Sequence, residues 1–342
     1  MRGKQAGAVM AAIVVVGIAA YAGYSHYTSG RATPLIVYSA DAYVSEANYL
    51  LSAYHNESGF SVLNAKGGGS FADAREISQG DPANAFVSVS KSSYSQSYLG
   101  SRYSGWAIAF ASDQLVRAYS NSTRTALVNS IVAEFGSALK TNSTQDYTAA
   151  YENLTSGKVK VGISNPSSDP AGLRGWISLE IAGELYAGKE SLFTSRIVAN
   201  GGVSNSTSAA ELVTPLTTGN IQFLFIYKSV AVSDRLPYIE LSNYTNFGNA
   251  SMEGFYSGFS YSTATGPAYG SPIMLLVTSL AGNGADTAAS LNFAVFVVMH
   301  NSEMAKFGLV PIAVSLLFND TAVPPPISDL LSQGKITSAG AI

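Results

Sequence analysis

The chain has 342 residues, a net charge of −3, 47% hydrophobic residues and no cysteine. It is long enough for two domains of ordinary size, and the lack of any Lys/Arg run argues against a nucleic-acid partner. Without cysteine there are no disulfides, thiol nucleophiles or Cys zinc sites, and three scattered histidines provide too little for a metal cluster or a Ser-His-Asp triad. We therefore expect no enzyme, no cofactor and no free metal ion.

The N-terminus predicts export. "MRGKQ" is positively charged, and Ala6 to Tyr24 is an uncharged run of about one membrane thickness. The small-x-small pattern Ala20-Tyr21-Ala22 would suit a signal peptidase. Residues 1–33 are thus either a signal peptide or a membrane anchor with a stalk. Both alternatives place the rest on the outer face of the cytoplasmic membrane or in secreted form.

The first half of the exported part alternates between strands and helices. The predicted elements are a strand at 35–40, a helix at 46–59, a strand and glycine turn at 60–70, a helix at 71–80 and a strand at 84–90. This alternation is typical of an α/β protein in which helices pack on a parallel sheet.

The second half continues in the same manner. The predicted elements are an apolar segment at 105–119, a helix at 124–139, strands at 158–166, 220–232 and 271–280, a surface insertion at 242–271, a helix at 287–308 and a closing segment at 321–334. No tandem repeat or heptad pattern is present.

The loop "SNPSSDPAGLRG" (164–175) contains a single carboxylate, Asp169. Asp before Pro170 suits a helix start, and the apolar residues that follow at helical spacing lead to a natural stop at Gly188. From the residues alone, a helix cap is favoured over a chemical role for Asp169.

Three loops could contact a ligand, because ligands of open α/β sheets bind beyond the carboxyl ends of strands. "KGGGSFADA" (66–74) places Gly69 and Ser70 at a helix start, where free N–H groups favour an anion, although a plain glycine turn is the alternative. The loop at 164–172 adds Ser168 and its neighbour Ser167. The loop at 38–43 adds Ser39 and Asp41.

Several ordered segments resemble one known family. They are "LIVYSADAY", "GGSFADAREI", "GWAIAFASDQLVRAY", "VKVGISNPSSDPAGLRG", "FLFIYKSVA" and "TAVPPPISDLL". The chain resembles the archaeal-type tungstate/molybdate-binding proteins, the extracytoplasmic receptors of oxyanion ABC importers. The resemblance implies the two-lobed α/β type II periplasmic-binding-protein fold with two crossover strands. Lobe one would combine residues 34–109 and 272–342, and lobe two would span residues 110–271.

The resemblance also implies a ligand set of serine hydroxyls, backbone N–H groups and a tyrosine around one oxyanion. By position, Ser70, Asp169 and Tyr227 match the family's second-loop serine, loop aspartate and strand tyrosine. In some members two carboxylates also bind the metal atom and raise its coordination to six. This makes Asp169 a candidate ligand to molybdenum or tungsten, and its role as ligand or cap stays open.

Two positions depart from the family pattern. Asp41-Ala42 replaces the usual Gly-Ser of the first loop, and the second carboxylate falls on Ala209. Glu211 lies two residues further, which on a helix turns its side chain by about 200°. We therefore expect either a tetrahedral oxyanion held by hydrogen bonds alone or a changed ligand. Lys228 and Arg174 could be surface charges, and neither is named as a ligand.

These observations predict a receptor that captures tungstate or molybdate by hinge closure and delivers it to the membrane subunits of an ABC permease. A same-fold alternative binds sulfate, phosphate or another small anion. A second alternative is a receptor-like cell-surface or adhesion protein that has lost anion binding. An exported hydrolase is disfavoured because the catalytic residues are missing.

Overall fold

The computed structural model describes residues 33–263, 266–282 and 287–342. The predicted signal or anchor segment, Ala6 to Tyr24, lies outside these residues. Within the three described ranges no helix combines the length and the hydropathy needed to cross a bilayer.

The larger of two main sheets has seven strands. From edge to edge they are β14 (Ile336–Ser338), β13 (Val310–Asn319), β4 (Trp106–Ser112), β12 (Met274–Ser279), β3 (Ala85–Ser88), β1 (Val37–Ala40) and β2 (Lys66–Gly68). β1 pairs in parallel with both β2 and β3, which confirms the parallel arrangement predicted for the first half. β12 is antiparallel to its neighbours β3 and β4, so the sheet is mixed.

The second main sheet has five strands. In spatial order they are β7 (Val203–Ser204), β6 (Val161–Gly162), β8 (Phe223–Tyr227), β5 (Leu115–Tyr119) and β9 (Tyr238–Glu240). A separate hairpin consists of β10 (Ser260–Thr263) and β11 (Gly266–Tyr269). Every residue of β8 is buried, as a central strand covered on both faces requires. We call the parts of the chain built around the two main sheets the first and the second lobe.

Helices cover both sheets. In chain order they are α1 (Val44–Ser58), α2 (Ser70–Ser78), α3 (Gln96–Leu99), α4 (Ala126–Thr141), α5 (Thr144–Leu154), α6 (Pro170–Ala187), α7 (Leu192–Ala199), α8 (Val213–Thr218), α9 (Lys228–Ser233), α10 (Glu253–Tyr256), α11 (Thr287–Met299) and α12 (Pro325–Ser332). α1 ends at Gly59 and α6 at Gly188, both with positive φ (74° and 64°), as predicted.

Three segments differ from the predictions. The strand expected at 220–232 ends at Tyr227, and the helix α9 follows it directly. The apolar run at these positions is therefore divided between a buried strand and a short helix. β13 was not predicted, and its ladder is irregular between Pro311 and Leu316. The insertion at 242–271 is not wholly a surface feature, since Phe247 and Tyr256 are fully buried.

The chain crosses between the sheets at two places that are hydrogen-bonded to each other. It leaves β4 at Ser112, enters β5 at Leu115, and returns to the first sheet at β12. The N–H of Asp113 donates to the carbonyl of Ile273 (3.1 Å), and that of Leu115 to Asn246 (2.7 Å). The predicted lobe boundary at 109/110 falls inside β4, whose apolar run continues past it. The division into two lobes that move relative to each other remains a proposal.

The carboxylate of Asp113 joins both lobes at this crossing. It is 1% exposed, and its Oδ2 accepts hydrogen bonds from the hydroxyls of Tyr43 (2.9 Å) and Ser229 (2.5 Å). Oδ1 accepts from the N–H groups of Gln114 (2.6 Å) and Ser229 (3.3 Å). Tyr43 precedes α1 in the first lobe, and Ser229 belongs to α9 beside the second sheet. Four donors thus meet on one buried acceptor.

We predict that Asp113→Asn lowers the free energy of unfolding by about 2–4 kcal/mol, because the amide nitrogen then faces hydrogen-bond donors in a buried place. Urea unfolding followed by circular dichroism measures this loss. The matched control is Asp234→Asn on the exposed surface, for which a change within about 0.5 kcal/mol is expected. Equal unfolding midpoints for the two variants would contradict the role given to Asp113.

Candidate functional site

A cavity of 310 Å³ lies between the lobes. Its first-lobe wall consists of the loop that follows β1 and the start of α2. Its second-lobe wall consists of the loop before α6, the segment 207–211 and the end of β8. The carboxyl ends of β1 and β8 both point to this space, which is the usual position of a ligand in an α/β protein.

Seven of the eight predicted contact residues line this cavity: Asp41, Gly69, Ser70, Ser168, Asp169, Glu211 and Tyr227. The exception is Ser39, which lies inside β1 with no exposed surface and donates its hydroxyl to the carbonyl of Ala40 (3.3 Å). Because β1 continues to Ala40, Ser39 does not reach the loop beyond the strand end. The binding roles of the other seven residues stay predictions.

The two lobes approach each other closely at Gly69. A Cβ atom at this position would lie 3.2 Å from the carbonyl oxygen of Ser168 in the opposite lobe. A larger residue at 69 would therefore push against the second wall of the cavity.

The hydroxyl of Ser70 is a buried donor without a partner. Ser70 is the first residue of α2, whose N-cap is Gly69, so it does not cap the helix. The residue is 1% exposed, and within the described chain its Oγ makes no hydrogen bond. The first-turn N–H groups of a helix also have no intrahelical partners and carry a partial positive charge. The start of α2 therefore offers several unsatisfied donors to the cavity.

Asp169 has both carboxylate oxygens occupied by its own lobe. Oδ1 accepts from the N–H of Ala171 (2.8 Å), which is the predicted helix cap, and Oδ2 accepts from the N–H of Ala209 (2.7 Å). Burial raises the pKa of this carboxyl, while these N–H groups and the charge of Arg174 act in the opposite direction. Asp169 thus fixes the start of α6 and the loop at 209 relative to each other.

Glu211 and Ser168 are likewise engaged within the second lobe. The carboxylate of Glu211 accepts from the hydroxyl of Ser206 and from the N–H (3.2 Å) and hydroxyl (2.7 Å) of Thr207, and these bonds lower its pKa. The hydroxyl of Ser168 donates to the carbonyl of Thr207 (2.7 Å). These side chains shape the loop at 206–211, and the Ser168 proton is already used.

Asp41 is the cavity carboxylate with the fewest partners. It is solvent-accessible, and its Oδ1 accepts from the N–H of Ala42 (2.8 Å). Partial loss of hydration, followed by the negative charges of Asp169 and Glu211, raises its pKa to about 6. On the side of α2 it faces Asp73, another carboxyl whose pKa burial raises, to about 8.

Tyr227 lines the cavity, and Arg174 lies behind it in contact with the Tyr227 hydroxyl. Tyr227 is 3% exposed, its ring stacks on that of Tyr43 with centroids 5.8 Å apart, and its hydroxyl accepts from Nη1 of Arg174 (2.6 Å). The interpretation of Arg174 as a surface charge is wrong, since it is also 3% exposed. The signal was available, because the first half of α6 is apolar on every side and a charge there must be buried. Lys228 is half-buried and pairs with Glu240 (2.7 Å).

Comparison with known proteins gives the family. Residues 27–298 match the model of the bacterial extracellular solute-binding proteins. The chain belongs to this family. A solute-binding protein of Sulfurisphaera tokodaii is 36% identical over 318 residues, which cover 90% of this chain and 83% of that protein.

Two further solute-binding proteins are named by their ligand. The molybdate/tungstate-binding protein WtpA of Pyrococcus abyssi is 34% identical over 151 residues, 38% of this chain and 44% of that protein. The periplasmic molybdate-binding protein of Azotobacter vinelandii has the same fold, with a TM-score of 0.55 at 18% identity over 81% of this chain and 98% of that one. Solute-binding proteins are in general non-enzymatic and extracytoplasmic, and they work with ABC permeases.

The raised pKa of Asp41 predicts a pH-dependent stability. Between about pH 4 and pH 6 the folded state holds the Asp41 proton more tightly than the unfolded state, so this residue's contribution to stability falls as pH rises through that window. Asp41→Asn removes the effect. We expect the variant to be more stable than wild type above about pH 6, by less than about 1 kcal/mol because solvent screens an accessible group, and equally stable near pH 4.

Thermal unfolding between pH 4 and pH 8 tests this prediction. Asp234→Asn, which does not line the cavity, is the control and should run parallel to wild type. A stability difference for Asp41→Asn that is the same at both ends of the range would contradict the pKa assignment.

Proposed function

We propose that this solute-binding protein captures a tetrahedral oxyanion, molybdate or tungstate, in the cavity between its lobes and delivers it to an ABC importer. The observation that carries the proposal is the Ser70 hydroxyl, buried and unpartnered at the start of α2 on the cavity wall. A buried donor of this kind costs free energy unless a ligand accepts its hydrogen bond.

The remaining chemistry of the cavity supports an anion with several acceptor oxygens. The first lobe offers Ser70 and the free N–H groups of α2, and the second lobe offers the hydroxyl of Tyr227, a residue of the opposite wall. An anion that contacts both walls binds the closed arrangement more tightly than any open one. Differential affinity of this sort is what drives closure.

The names of two relatives support the choice of molybdate or tungstate. WtpA of Pyrococcus abyssi is named for molybdate and tungstate, and the Azotobacter vinelandii protein, which shares the fold, is named for molybdate. The extracytoplasmic side is proposed for this chain because the family is extracytoplasmic and because residues 6–24 read as a signal or anchor.

The carboxylates favour an oxyanion held by hydrogen bonds alone. Asp169 and Glu211 already accept hydrogen bonds from their own lobe, and Ala209 stands where the family has its second carboxylate. We therefore propose four-coordinate rather than six-coordinate metal in the bound oxyanion. The same observation favours sulfate or phosphate as a second candidate, because neither requires a carboxylate ligand.

Isothermal titration of the purified protein with molybdate, tungstate, sulfate and phosphate tests the choice of ligand. We expect molybdate or tungstate to bind at least about tenfold more tightly than sulfate, a difference of about 1.4 kcal/mol. Tight binding of sulfate without tungstate would favour the second candidate. No binding of any of the four would contradict the proposal and favour a cell-surface protein that has lost its ligand.

Ser70→Ala separates binding from stability. Because the hydroxyl has no partner among the described residues, its removal should leave the free energy of unfolding unchanged within about 0.5 kcal/mol. Anion affinity should fall on the order of tenfold to 100-fold, since the lost bond reaches a charged acceptor. The matched control is Ser178→Ala, at another buried serine whose hydroxyl has no partner in the described part of the chain and which does not line the cavity. Unchanged anion affinity in Ser70→Ala would remove Ser70 from the site.

A further inference from the structure

The guanidinium of Arg174 connects the second lobe to the first beside the cavity. Besides Tyr227 it donates to three main-chain carbonyls. Nη2 reaches Val89 at the end of the first-sheet strand β3 (3.2 Å) and Pro272 (3.1 Å), and Nε reaches Ser271 (3.2 Å). Residues 271 and 272 lead directly into β12. Arg174 therefore ties α6 to both the first sheet and the returning crossover.

This buried charge has no carboxylate as a direct partner. Among the residues that the structure describes, Arg174 forms no ion pair, and its hydrogen-bond acceptors are all neutral oxygens. The charge of Arg174 influences two residues that line the cavity, because it acts to lower the pKa of both Asp169 and Tyr227. Burying a cation among neutral groups is unfavourable for folding. Its position behind the cavity indicates a use in binding.

The bond from Arg174 determines how the Tyr227 hydroxyl can act. A guanidinium has five donors and no acceptor, so the Tyr227 oxygen can only accept from it. The hydroxyl proton must then point elsewhere, and no described protein group accepts it. Burial, the first of several influences, raises the pKa of Tyr227, so the proton is retained. The hydroxyl is left as a donor on the cavity wall.

We propose that Arg174 is a positioning residue of the anion site. It holds the Tyr227 oxygen as an acceptor, so that the hydroxyl proton is available to an anion, and it places a positive charge behind that hydroxyl. The inference rests on the proposed function. It also gives the site a selectivity, because a hydroxyl fixed as a donor favours an ionised oxygen over a protonated one.

A double-mutant cycle with Tyr227→Phe and Arg174→Met tests this role, with tungstate affinity measured by calorimetry on the full chain. Tyr227→Phe alone should weaken binding on the order of tenfold to 100-fold, the loss of one hydrogen bond to a charged group. Arg174→Met alone should weaken binding more than Tyr227→Phe does, because it removes both the orientation of the Tyr227 hydroxyl and the positive charge behind it. In the Tyr227→Phe background the Arg174→Met change should cost roughly tenfold less than in wild type, as expected for residues that act through each other.

Controls separate positioning from a general loss of structure. Arg102→Met removes another buried arginine, one that donates to the carbonyl of Ala83 away from the cavity, and should leave tungstate affinity unchanged. If Arg174→Met does not fold, Arg174→Lys replaces it in the cycle, since an ammonium keeps the charge but loses the planar donor geometry. Equal fold-losses of affinity for the Arg174 change in both backgrounds would overturn the positioning role while leaving the proposed function intact. Wild type that binds none of the four anions would overturn both.

Discussion

Two crossing segments, hydrogen-bonded to each other and to side chains of both lobes, fix the place of the cavity. Asp113 gathers donors from the first lobe, the second lobe and its own segment onto one buried carboxylate. Arg174 extends the connection by reaching the end of β3 and the segment before β12. Because these contacts join the two lobes, any change of the angle between the lobes must be accommodated close to them. The relative position of the two cavity walls therefore depends on these few hydrogen bonds.

Three carboxylates line a cavity for which we propose an anionic ligand. Their hydrogen-bond partners explain how negatively charged side chains and a negatively charged ligand can share this cavity. Asp169 and Glu211 direct their negative charge at N–H groups of the second lobe, so that they act as structural acceptors. Asp41 is the remaining carboxylate, and its pKa is raised to about 6, so part of its population is protonated just below neutral pH. Ser70 in the first lobe and Tyr227 in the second carry hydroxyl protons that no described protein group accepts, and Arg174 supplies a buried positive charge behind Tyr227. A desolvated anion is stabilised by such fixed donors without a full countercharge.

Local signals in the sequence were sufficient for several elements beside the cavity, although not for the end of β8. Gly59 and Gly188 end their helices, and Asp169 caps α6, each within a few residues of the structure it determines. The convergence of Ser70, Asp169 and Tyr227 followed from a family resemblance, since neither spacing nor composition relates residues so far apart. Asp113 was missed for the same reason, because its partners lie 70 and 116 residues away. The apolar surroundings within α6 indicated that Arg174 is buried, but its acceptors near β3 and β12 could not be predicted because they are distant in sequence. β13 was missed because its ladder is irregular between Pro311 and Leu316.

The central claim is that one oxyanion contacts donors of both lobes in this cavity. A crystal structure of the protein with tungstate, phased on the anomalous scattering of tungsten, tests it most directly. We expect one tungsten site between the lobes, with its oxygens within hydrogen-bond distance of Ser70 Oγ and the Tyr227 hydroxyl. Tungsten bound elsewhere, or in the cavity but touching only one lobe, would contradict it.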